Sequence, residues 1–458
     1  MARVLHRRTL THILAVILYF LLALAATWPL VRYLGTHVPG SETWAFDEYT
    51  FIWNSWWLRY SLFDLGQNPL YSTHTFYPLG ISLVLYTYNL FNALISLPLQ
   101  PFLSLPAISN LTFLLATVLT GYGTFVLVEY LLGPVRRETL NGQHAARDAH
   151  RGSPAVYLAA FLAGLVYAFG SYRLVYAAIG HYDMWSTAWI PYYTLYLFKT
   201  IRERRMRNAV LAGLFLVLSM LAEMIFGVFL GMLTIVVLAF VVGRRGREEV
   251  VGGLPSLLGR LAVMGLVATL LYLPVLVPVV GEMFGGYELA GWGDAEKLSA
   301  DLMGLVTPTA LHPLGGDWVE TLRQTQEGTS RFRDVNTVFL GWAGLALAFV
   351  GAVRYRRRVA AWITCFIIFA AFSLGPLLQI NGRSIFDLDG LLVNVPLPFI
   401  ALHYIPFVKA NRVPNRFSVV LMLSLAVLAG FGAYWLLTKL SRSKARVGGV
   451  VLVACTLL

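Results

Sequence analysis

Charge is scarce in this chain: only 13% of its 458 residues are Asp, Glu, Lys or Arg, while 58% are hydrophobic and 14% aromatic. Soluble domains carry roughly a quarter of their residues charged, so a water-soluble globule is excluded and a polytopic membrane protein is indicated. Cysteine is almost missing. Cys365 and Cys455 both lie inside apolar runs, which leaves no disulfide framework. There is no CxxC and no His/Cys spacing of the kind that holds zinc, and the nine histidines are scattered. Acids are fewer than bases, 23 against 35, for a net charge of +12. The bases come in short clusters between apolar runs and not on one contiguous face, so they are orientation signals and no nucleic-acid partner is expected.

What the chain does have is a series of apolar runs. Arg3, Arg7 and Arg8 followed by apolar residues 10–34 resemble a signal peptide, down to the small-residue pattern Ala23-Leu24-Ala25. The run is long enough to cross the hydrocarbon core and a basic N-terminus stays cytoplasmic, so it is read as a retained first span. Further runs fall near 88–105, 108–132, 154–174, 184–200, 209–223, 225–242, 259–280, 336–353, 359–378, 416–438 and 447–458. Arg136, Arg137, Arg147 and Arg151 make loop 133–153 cytoplasmic, which requires 108–132 to run inward and all of 35–107 to stay outside. Run 88–105 then does not cross; Pro98, Pro101 and Pro106 agree, since each removes a helix hydrogen bond that lipid cannot replace. The later clusters, Lys199–Arg207, Arg244–Arg247, Arg354–Arg358 and Lys439–Arg446, fall inside, and 209–242 forms a hairpin with Glu223 at its outer tip. The final run, 447–458, stops short of a crossing length, which predicts a helix continued beyond it. The expectation is an all-α polytopic integral membrane protein of the cell membrane, one membrane domain of about 11 transmembrane helices with its N-terminus cytoplasmic.

Four outer elements result: 35–107, 175–187, 281–335 and 379–415. The first opens with Trp44-Ala45-Phe46-Asp47-Glu48-Tyr49 and continues to Tyr60. Wound as a helix, residues 47–63 put Tyr49, Trp53, Trp56, Trp57, Tyr60 and Phe63 on one aromatic stripe, with Asp47, Thr50, Asn54 and Ser61 on a polar strip beside it. Such a helix lies in the membrane surface and holds Asp47 at the lipid–water boundary, while Glu48 points about 100° away toward Ser55 and Arg59. The bland role for Asp47 is helix N-capping. In the second element, His181-Tyr182-Asp183 precedes an inward span, where an acid either snorkels to water or lines a pocket. Glu223 at its hairpin tip takes the snorkelling role. The fourth element carries Lys409, Arg412 and Arg416 on the side the orientation rule leaves poor in bases, so they need an anionic partner: a phosphate held by guanidinium forks, or lipid headgroups. In 281–335, Tyr287, Trp292, Trp318 and Glu320 supply aromatic and polar content suited to carbohydrate.

A basic N-terminus, one span, an outer loop opening with an acid-bearing juxtamembrane helix (Asp47-Glu48) and a second outer acid after the third span (Asp183) is similar to the GT-C superfamily of membrane glycosyltransferases. The segment Asn411-Arg412-Val413-Pro414-Asn415-Arg416-Phe417 also looks like one found in uncharacterised bacterial multi-span proteins grouped loosely with that superfamily. The resemblance covers the architecture of residues 1–446. It departs at the second acidic position, a lone Asp183 with His181 in place of an acid pair, and no soluble C-terminal domain follows. It implies a GT-C-like bundle and an inverting transfer of a sugar from a polyprenyl-phosphate or polyprenyl-diphosphate carrier to a glycan, lipid or protein acceptor on the extracytoplasmic face. Asp47 would be the general base, and Asp183, with His181 and Glu48 nearby, would orient the acceptor. Asp47 and Asp183 together would be the ligands of a divalent ion such as Mg or Mn, which the chemistry does not require. Lys409, Arg412 and Arg416 would hold the lipid phosphate. Two other classes fit the same residues: a transporter or flippase for a lipid-linked sugar, and a structural subunit of a membrane complex.

Overall fold

A computed structural model describes residues 2–40, 47–86, 88–133, 153–243, 252–285, 295–309, 338–405 and 411–439, with single residues 312, 319 and 448. In chain order, the helices among the described residues are α1 (Ala2–Ala26), α2 (Asp47–Arg59), α3 (Leu90–Ser96), α4 (Leu105–Leu132), α5 (Pro154–Ala168), α6 (Ser171–Ala178), α7 (Tyr182–Trp185), α8 (Trp189–Arg202), α9 (Met206–Ala222), α10 (Ile225–Val242), α11 (Gly253–Phe284), α12 (Trp342–Arg354), α13 (Ala360–Ser373), α14 (Phe399–Leu402) and α15 (Ser418–Lys439). Two short antiparallel hairpins decorate them, β1 (Tyr71–Ser72) with β2 (Ile81–Ser82) and β3 (Phe386–Leu388) with β4 (Leu391–Val393).

Among the described residues, six segments are long and apolar enough to cross a membrane: Arg8–Ala26, Leu105–Leu132, Pro154–Ala178, Ile225–Val242, Gly253–Phe284 and Pro414–Lys439. Met206–Ala222, Trp342–Arg354 and Ala360–Ser373 are apolar but shorter. The described residues thus make up a helical membrane protein with six such spans, against about 11 expected over the whole chain from apolar runs. The difference arises because a run is not one helix: 184–200 and 336–353 give helices of 14 and 13 residues, and 447–458 lies outside the described residues apart from residue 448. Within 88–105 the only helix is α3, seven residues long, which at about 1.5 Å per residue cannot span the bilayer.

Each long helix starts where its sequence permits. Ser104 and Ser153 cap α4 and α5 by accepting the amides of Ala107 and Val156, with Pro in the first turn of both, a combination worth about 1 kcal/mol per cap. The centre of the bundle is α15, buried along nearly its whole length against α5, α12 and α13. It approaches α12 through Gly432 and Gly351, where a Cβ on either would run into the facing carbonyl, so the two backbones touch. α1 is pinned to α4 by a buried carboxylate, Glu129, which takes Arg8 Nη2 at 3.1 Å and His12 Nε2 at 3.4 Å. Deeper in, Tyr19 donates to the Phe161 carbonyl of α5 at 2.9 Å.

The outer elements are laced together. Tyr182 donates to the Pro39 carbonyl at 2.5 Å and Asn92 to Ser186 at 3.2 Å, joining the first loop to the second. Segment 295–309 is tied to the end of α13 by Ala300 N→Ser373 O and to the fourth element by Leu302 N→Gln379 O, Gly382 N→Asp301 Oδ2 and Asn415 N→Leu298 O. The segments carrying Asp47, Asp183, Glu223 and Arg416 meet at this end of the bundle.

Candidate functional site

The α5 span breaks before it leaves the bundle, and the break sets the site. Gly170 separates α5 from α6, and Arg173, fully buried, bridges the gap. Its guanidinium donates to the Ala168 carbonyl and, at 2.9 Å, to the Trp185 carbonyl, and it stacks 3.9 Å over the Trp185 ring. Trp185 is fixed in turn by stacking on Phe113 at 4.1 Å and by donating to the Phe113 carbonyl at 3.0 Å. The turn between, Gly180-His181-Tyr182-Asp183, is thus clamped at both ends. Gly180 has φ +76, and a Cβ there would come within 2.5 Å of Glu48 Oε2, so the turn presses directly on the start of α2.

That contact brings Asp47 and His181 together. Asp47 Oδ2 lies 3.2 Å from His181 Nε2, and His181 Nδ1 lies 3.9 Å from Asp183 Oδ1. On the far side of Asp183, its Oδ2 is 3.9 Å from Arg416 Nη2, whose Nη1 is 3.7 Å from Glu223 Oε1. Five residues from four segments therefore form one chain: Asp47, His181, Asp183, Arg416, Glu223. Asp47 is its open end, with a side chain 40% exposed against 3% for Asp183. Tyr176, buried beside it, donates to Asn415 Oδ1 at 2.6 Å and sets its ring edge-on to the imidazole at 5.6 Å.

Burial drives the electrostatics. It lowers the His181 pKa, with Arg416 adding to the effect and Asp183 and Asp47 opposing it, so the imidazole favours the neutral form. A neutral imidazole has one N–H for two carboxylates. His181 Nδ1 and Asp183 Oδ1 are buried with no hydrogen-bond partner among the described residues, which fits a proton on Nε2 donated to Asp47. Burial, with the neighbouring Asp183 charge and a hydrogen bond to it, pushes the Glu223 carboxyl up to about 8 against the pull of Arg416.

The expected residues take different places. Asp47, His181, Asp183 and Arg416 converge. Arg416 lies just before α15, and the anionic partners it meets are two carboxylates of the chain. Arg412 is exposed and Lys409 lies outside the described residues. Glu48, expected to face Ser55 and Arg59, is buried against Gly40 and Gly180, and burial, together with the Asp47 charge, raises its pKa. The aromatic stripe is also not wholly at the surface: Trp57 is buried and donates to the Pro69 carbonyl at 2.9 Å because residues 65–86 fold back over α2, whereas Tyr49 and Phe63 stay exposed. Glu223, taken from sequence as snorkelling, belongs to the cluster. Arg173, Tyr176 and Asn415 carried no expectation. Tyr287, Trp292, Trp318 and Glu320 lie outside the described residues.

As ligands for a divalent ion, Asp47 and Asp183 do not fit as they stand, since the His181 imidazole sits between them. No group of three or more His, Cys, Asp or Glu among the described residues is arranged to hold a metal. Beside the turn, a cavity of about 1000 Å³ runs along the outer end of α1, lined by Trp28, Leu165, Phe169, Leu174, Trp342 and Met422 among others. No protein-family model matches the chain, and no significant match is found among curated proteins.

Proposed function

We propose that this protein is a GT-C-like membrane glycosyltransferase that moves a sugar, with inversion, from a polyprenyl-phosphate carrier to an acceptor hydroxyl on the extracytoplasmic face. The observation that carries the reading is the half-open Asp47 carboxylate, with one oxygen on His181 and no described side chain on the other, at the mouth of a buried charge cluster. A base needs one free oxygen on a fixed carboxylate, and the His181 contact fixes it. The acceptor O–H gives its proton to Asp47 as its oxygen attacks the anomeric carbon. The bond from that carbon to the phosphate oxygen breaks, and its electron pair leaves on the lipid phosphate. Arg412, exposed at the start of the Pro414 turn, is the cation offered to the departing charge, and Lys409 is its sequence neighbour. Arg416 is assigned a different part: it holds Asp183 and Glu223 together beside His181. The apolar cavity beside the turn gives the polyprenyl chain a place to lie.

A second reading has its own support. A buried carboxyl that holds its proton near neutral pH, joined to an arginine, an aspartate and a histidine, is also the equipment of a proton-coupled transporter or flippase for the same lipid-linked sugar. Turnover separates the two. Purified protein supplied with a polyprenyl-phosphate sugar and a hydroxyl acceptor releases polyprenyl phosphate if it is a transferase, and Arg412→Ala then weakens donor binding by roughly 1.5–3 kcal/mol. Donor translocation without cleavage would move the assignment to the transporter.

A further inference from the structure

We infer that the basic end of the bundle, opposite the Asp47 cluster, holds a binding site for the phosphodiester headgroup of an anionic phospholipid. α8, α10 and α15 all run from the site end to this end, and α13 runs back. Where they finish, they enclose a cavity of about 470 Å³. Its rim carries Arg202 from the end of α8 and Arg356, Arg357 and Arg358 from the turn between α12 and α13; its floor is apolar and includes Trp362 and Phe431, both almost wholly buried.

A positive cluster in a loop serves orientation wherever its side chains point. Here residues 154 positions apart in sequence converge on one hollow, which orientation does not require. Arg358 is committed to structure: its Nη2 donates to the Leu131 carbonyl and, at 2.6 Å, to that of Gly133. Arg356 and Arg357 are exposed and have no acidic partner among the described residues. Arg202 sets its guanidinium over the Phe198 ring, 5.1 Å from its centroid, at the same rim. Arg356 and Arg357 above an apolar floor, between helices at the membrane surface, match a ligand that is anionic at one end and apolar at the other. A free phosphate would leave the floor empty, so the ligand is the lipid. The inference does not depend on the proposed transfer.

The test uses full-length protein purified in a neutral detergent, titrated with phosphatidylglycerol or phosphatidylcholine, with retained lipid read by native mass spectrometry. Phosphatidylglycerol is expected to be preferred, and Arg356→Gln with Arg357→Gln to weaken its binding by about 30-fold, the effect of two surface cations. Arg356→Lys with Arg357→Lys should retain most of it. Ala361→Trp, which fills the floor and leaves every charge in place, should weaken it as well. Equal retention of both lipids, or displacement of phosphatidylglycerol by an equal concentration of inorganic phosphate, would overturn the inference. So would undiminished binding to Ala361→Trp, which would make the arginines a surface patch and not a site.

Discussion

Between Asp183, Arg416 and Glu223 one cation serves two carboxylates, and the shortfall is met by a proton. Glu223 takes it, because it is buried and lies beside Asp183. Its pKa rises on folding from 4.5 to about 8. A group with a raised folded pKa contributes stability that is fully present below the unfolded value and is lost as pH rises through the folded one. The melting temperature should therefore carry a downward component as pH goes from about 5 to about 8, and Glu223→Gln, which keeps the hydrogen bond and cannot ionise, should remove that component. An unchanged slope in the variant would mean that Glu223 is charged throughout. Much of the cluster was legible before any coordinates, because Asp47, Asp183 and Arg416 are charges in places where lipid or the orientation rule offers no reason for them. Glu223 was discounted because a lone acid at a hairpin tip ordinarily reaches water. Arg173 and Tyr176 were not legible at all. Arg173 sits in an apolar run and Tyr176 just after it, and their partners are carbonyls or, for Tyr176, a side chain 239 residues away.

The element that matters most is the turn 180–183, short and held by neighbours on every side. Its geometry demands a residue without a side chain, since φ is +76 and Glu48 fills the space a Cβ would need. Gly180→Ala should cost about 1–3 kcal/mol through backbone strain and the clash. The clash should also push α2 away and separate Asp47 from His181. A thermal melt checks the first effect; a variant with wild-type stability would show that the turn is softer than described. The apolar runs marked most of the helices, and the run 88–105 holds the seven-residue α3, followed by Pro98 and Pro101. The α5–α6 break was not seen. Residues 154–174 read as one continuous apolar stretch, and what interrupts it is Gly170 together with a buried arginine that supplies the freed carbonyl of Ala168 with a donor. The same limit applies to α2, whose stripe was assigned to the membrane surface because nothing in its periodicity shows that residues 65–86 return to cover Trp57.

Among the described residues, the acids of the cluster and the basic loop residues lie at opposite ends of the bundle. Asp47, Asp183 and Glu223 gather at one, and Arg8, Arg202, Arg354–Arg358 and Lys439 at the other. The orientation rule leads us to expect the basic end to face the cytoplasm, so a reporter placed beside Arg147 should read as internal, and an external signal would invert the assignment of every loop. The proposed transfer then rests on Asp47, and its amide variant is the most direct test of it. Asn keeps the size of Asp47 and an oxygen for the His181 contact, yet cannot take a proton. A positioned general base contributes about 10²–10⁴-fold, so purified Asp47→Asn should fold, insert and bind donor as wild type does, while sugar transfer falls by that factor and Glu48→Gln, altered beneath Gly180, leaves it nearly intact. Near-normal transfer by Asp47→Asn would contradict the assignment of the base.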